Sequence, residues 1–71
     1  MNLTQTRYLL DIYKRIATGL PVDLDNVESE RRKAVLEKDK LVVAGSDTSG
    51  IDEYISELEN ILYYDNHSDR N

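Results

Sequence analysis

The sequence predicts a small all-α domain: a three-helix bundle made of a helical hairpin and an acidic C-terminal helix. Three observations carry this. Apolar residues recur at helical spacing in three separate stretches, turn-forming residues cluster at the two joints between them, and 71 residues make one domain. Residues 1–64 form that domain, and residues 65–71, which contain no apolar residue, are expected to be a disordered tail.

The first helix is predicted over about Leu3–Gly19. Leu9, Ile12, Tyr13, Ile16 and Leu20 form one apolar stripe, which Leu3, Leu10 and Ala17 widen on one side and Tyr8 on the other. An arc this broad calls for two neighbouring helices. Asn2 with Gln5 three residues later is a start signal, and Gly19 followed by Pro21 is a stop.

The second helix begins after Asp23, a capping residue, with Val22 and Val27 placed to close over the first turn. Its apolar face is lean: Leu24, Val27, Ala34, Val35, Leu41 and Val42, interrupted by Arg31 and Lys38. Those two either snorkel to water or meet carboxylates such as Glu57 or Glu59, within the chain or across a dimer. Leu41–Ala44 has strand-like composition, which leaves open a helix end or a short strand.

Gly45-Ser46-Asp47-Thr48-Ser49-Gly50 is a turn, after which Ser49 is the expected cap of the third helix and Asp52 its capping-box partner. Ile51, Tyr54, Ile55, Leu58, Ile61 and Leu62 give the cleanest stripe in the chain. Asp52, Glu53, Ser56, Glu57, Glu59 and Asn60 lie opposite.

Composition limits the core. Cys, Trp and Phe are absent, so disulfides are excluded and burial falls to Leu, Ile, Val and five Tyr. Homodimerisation or higher assembly is one way to supply the missing area. No stretch approaches the roughly 20 apolar residues that span a bilayer. Asp11 and Lys14 break the N-terminal apolar run before it reaches signal-peptide length. A cytoplasmic location and no membrane partner are expected.

Charge is segregated. Residues 1–40 carry eight Lys/Arg against seven Asp/Glu, while residues 41–71 carry one against seven. Such a single-sign field favours a basic partner surface and disfavours nucleic acid.

Sites of chemistry are weak throughout. Gly45 and Gly50 have phosphate-loop spacing, but Ile51 and Asp52 follow where Lys and Ser/Thr are needed. His67-Ser68-Asp69 names the members of a hydrolytic triad, yet neighbours in a tail cannot hold the relay. Asp23 and Asp25 open like a calcium loop, but Val27 stands at the third ligand position. The carboxylates of the third helix lack a water-poor cleft. No catalytic residue, metal site or cofactor is assigned, and the chain is not expected to be an enzyme.

The leading expectation is a small acidic protein-binding regulator or inhibitor. It docks its third helix on a basic surface of another protein through Glu53, Glu57, Glu59, Asn60, Tyr63 and Tyr64, with mimicry of nucleic acid as one version. Tyr63 and Tyr64 project away from the apolar stripe, and the alternative for them is folding back onto the bundle. In size and charge the chain is similar to small regulators encoded by phages and mobile elements, a likeness of format and not of matched residues. A second expectation is a self-assembling structural or cement subunit using the broad first-helix stripe. A third is a dimeric helix-turn-helix-like DNA-binding regulator using Arg31, Arg32 and Lys33, which the interleaved Glu28, Glu30 and Glu37 weaken.

Overall fold

Helix ends define the architecture. In the structure, a computed structural model, the backbone is described for residues 1–68 and side chains for residues 1–63. Helix α1 spans Leu3–Thr18, α2 Leu24–Val43 and α3 Ser49–Ser68, with no strand among the described residues. Leu41–Val43 therefore finish a helix. The third helix runs past residue 64, where the apolar stripe stops. The rest of the expected tail, including the His67-Ser68-Asp69 side chains, lies outside the described residues.

The starts of α1 and α2 follow the sequence signals. Asn2 accepts from the Gln5 backbone at 2.8 Å while the Gln5 side chain accepts from the Asn2 backbone at 3.1 Å, completing the capping box. Asp23 accepts from the Asn26 backbone at 3.1 Å. Helix α3 differs. Its capping side chain lies two residues before Ser49: Asp47 accepts from the Ser49 backbone at 3.0 Å and the Ser49 hydroxyl at 2.9 Å. Thr48 donates to Asp52 at 3.0 Å. The Asp47 carboxylate, two residues back, serves the N–H of Ser49 itself, one of the donors a helix start leaves unpaired.

Both α1 and α2 stop by the same device. Gly19 (φ 75°) and Gly45 (φ 70°) are left-handed. The N–H groups of Gly19 and Leu20 reach the carbonyls of Ile16 and Arg15, and those of Gly45 and Ser46 reach Val42 and Leu41.

Helices α2 and α3 form the close-packed hairpin. The acidic C-terminal helix therefore belongs to the hairpin and is not added to it as expected, and α1 rests on this pair more lightly because its contacts are few. The core joins Val27 and Ala34 of α2 to Ile51, Tyr54, Leu58, Ile61 and Leu62 of α3, with only Leu9 and Ile12 from α1. Leu58 and Val27 are fully buried at its centre. The backbone of Met1 lies against Gly50, Tyr13 bonds to Glu57, and Ile16 lines a groove with Ile61. Thus α1 runs parallel to α3 and α2 runs antiparallel to both.

Two expected core assignments are corrected. Val42 is 58% exposed, because at this level Leu41 is the residue that packs against the core and Val42, about 100° further round the helix, points past it. On α1, Tyr13, Ile16 and Leu20 are exposed along with Leu3, Leu10 and Ala17. The broad arc meets the hairpin along one edge, and no further helix among the described residues covers the rest.

Leu58→Ala is expected to cost about 3 kcal/mol, much of the margin of a domain this small. Val42→Ala should change stability by no more than about 0.5 kcal/mol. Denaturant unfolding followed by circular dichroism checks both, and equal losses would contradict this core. Gly19→Ala should cost about 1 kcal/mol through its left-handed backbone.

Candidate functional site

Two tyrosines fix how α1 is rotated on the hairpin. The Tyr8 hydroxyl donates to Asn26 on α2 at 2.5 Å, and the Tyr13 hydroxyl donates to Glu57 on α3 at 2.5 Å. They sit on opposite sides of the Leu9–Ile12 edge, as helical spacing requires. Partial burial, then the bond to Glu57 and its charge, push the Tyr13 phenol up to about 12. Burial also raises Tyr8, helped by Glu30, Asp23 and Asp11.

The α2–α3 seam carries the cations that interrupt the lean face of α2. Lys38 meets Asp52 at 2.7 Å, and Arg31 reaches Glu59 at 3.9 Å while gripping Glu28 at 3.1 and 2.6 Å. Both therefore find carboxylates within the chain. Hydrogen bonds from Lys38 and then Thr48 hold the Asp52 carboxyl below its ordinary range. The Ser49 backbone and hydroxyl do the same for Asp47. The Arg31 guanidinium, aided by Arg32, lowers Glu28.

These contacts redraw the expected docking plate. Glu53 and Asn60 lie on open surface, and Tyr63 is 54% exposed. Glu53 has no ion-pair partner among the described residues. Glu57 and Glu59 are half-buried, one held by Tyr13 and the other beside Arg31. The Tyr64 side chain lies outside the described residues. The basic patch is balanced locally: Arg32 pairs with Glu28 at 3.2 Å and Lys33 with Glu30 at 3.2 Å.

What residue-by-residue reading underrated is the outer side of α1. Leu3 (65% exposed), Leu10 (62%), Tyr13, Ile16, Ala17 and Leu20 lie along it in the open. The signal was present as an arc wider than one groove can cover. Since Tyr13 reaches Glu57, this apolar side borders the outer, acidic side of α3. The result is open apolar area bordered by carboxylates. Among the described residues no group of three or more His, Cys, Asp or Glu side chains is placed to hold a metal ion. None of the helices there is long and apolar enough to cross a membrane. Comparison with protein-family models, curated proteins and solved structures finds no match.

The Tyr13–Glu57 bond has a pH signature. Unfolded tyrosine ionises near 10.0, whereas folded Tyr13 and buried Tyr54 hold their protons to about 12. Their contribution to stability is complete below the lower value and is lost as pH rises through the higher. Denaturation midpoints measured across this window should fall for the wild type and fall less for Tyr13→Phe. An equally steep fall in the variant would remove the bond from the account.

Proposed function

We propose that the chain is a non-enzymatic protein-interaction module, acting as a small regulator or inhibitor by occupying a surface of another protein. Its docking face combines the exposed apolar side of α1 with the acidic outer side of α3. The single observation that carries this is the pair Leu3 and Leu10, each more than three-fifths exposed on the side of α1 that adjoins Glu57. The apolar strip supplies the desolvated anchor, while Glu53 and Glu57 select a basic counterpart and speed encounter. Asn60 and Tyr63 extend the face along α3. In this reading the anchors are chiefly aliphatic residues of α1, and the carboxylates form a border instead of a full plate.

A second reading, a self-associating structural subunit, is favoured by the same strip. The DNA-binding reading gains nothing comparable, because the charges of Arg31, Arg32 and Lys33 are matched by Glu28, Glu30 and Glu59. Affinity for nucleic acid grows with the number of phosphates neutralised, and paired cations offer few.

Immobilised wild-type protein should retain a specific partner from a lysate of its own cell at low salt and release it at high salt. Leu10→Glu and Glu53→Lys should each abolish or strongly reduce that retention. A partner held equally by both variants would overturn this face as the docking site.

A further inference from the structure

Along α1 the exposed residues follow a repeat of their own. Leu3, Leu10 and Ala17 stand seven residues apart, and Tyr13 repeats the half-buried Thr6 at the same interval. This is the alternating three-and-four spacing with which paired helices interlock. Leu9 and Ile12 turn into the chain's own core, so the repeat occupies a different side of the same helix. The borders of the strip carry opposite charge. Arg7 and Lys14, also seven apart, flank it on the side away from α3, and both are exposed. Neither makes an ion pair among the described residues. On the other side stand Glu57, tied to the strip by Tyr13, and Glu53 one turn earlier.

We propose that the occupant of this face is a second copy of the chain. Two α1 helices lie side by side and parallel, related by a two-fold axis running along the strip, with Leu3, Leu10 and Tyr13 meeting their counterparts. The proposal rests on the docking face described above, in its self-associating reading. Symmetry supplies the argument. A two-fold axis along the strip exchanges its borders and sets each basic edge on the other copy's acidic edge. An axis across the strip makes the helices antiparallel and sets like charge on like. Levels match as well. Met1 lies beside Gly50 and Tyr13 beside Glu57, so Arg7 and Lys14 fall within a helical turn of the levels of Glu53 and Glu57. The basic surface that the acidic edge calls for is therefore carried by the chain itself.

Helix α1, with 16 residues, is about 24 Å long at about 1.5 Å per residue. Its strip and borders fall at the small end of specific interfaces, which makes the dimer a weak, concentration-dependent one.

Sedimentation equilibrium of the purified full chain, run as a dilution series at low salt, tests this. The wild type should be a dimer that dissociates on dilution. Leu10→Glu should be monomeric while keeping wild-type helicity and unfolding transition, since Leu10 lies outside the core. Arg7→Glu should weaken association about tenfold, a loss on the scale of an interfacial charge pair turned repulsive. Glu53→Lys in the same chain should restore it. A wild type that stays monomeric throughout overturns the second copy as occupant and leaves the docking face itself to the lysate experiment. A dimer unchanged by Leu10→Glu, or a charge exchange that brings no recovery, overturns the arrangement.

Discussion

The rest of the structure depends on one packing constraint, the apolar seam between α2 and α3 in which Val27 and Leu58 are buried. Both side chains are fully buried, and the remaining core residues gather around them. With no cysteine, tryptophan or phenylalanine in the chain, this small aliphatic centre and Tyr54 carry most of the burial. A chain of this length has little area to bury, so each element is held only as firmly as its share of that centre allows. Helix α3 contributes the largest share, α2 a lean one reinforced by Lys38–Asp52 and Arg31–Glu59, and α1 chiefly Leu9 and Ile12.

That unequal sharing shapes the surface. The hairpin uses up the acidic helix's inner flank, placing two of its carboxylates against α2's cations and a third under Tyr13. The segregated charge of the sequence therefore reaches solvent as an edge beside α1. Meanwhile α1, needing only one edge to attach, keeps a second apolar side uncovered. The same shortage of core that makes α1 a light passenger makes its outer side available to a partner.

Much of this was legible in the sequence. The caps at Asn2–Gln5 and Asp23, the glycine stop at Gly19 and the α3 stripe are local signals, set by hydrogen-bonding capacity and helical period within a few residues. The cap of α3 at Asp47, in place of Ser49, was less so, because the two residues, on either side of Thr48, offer competing acceptors and only the turn geometry chooses. Exposure of Val42, Ile16 and Leu20 was not legible, since periodicity says which side of a helix is apolar but not how many neighbours arrive to cover it. For the site, Glu53, Asn60 and Tyr63 lie on open surface as the stripe pattern requires. The engagement of Glu57 depended on the rotation of α1, which no local pattern fixes.

The central claim is that α2 and α3 form the stable framework and that α1 is covered on one side only. Residue-resolved amide hydrogen exchange, measured on the same sample concentrated and diluted, tests it most directly. The account predicts strong protection around Val27–Ala34 and Tyr54–Leu62 at every concentration. Protection in α1 should be weaker when dilute and should rise on concentration. Protection of α1 equal to that of α3 at the lowest concentration would contradict it.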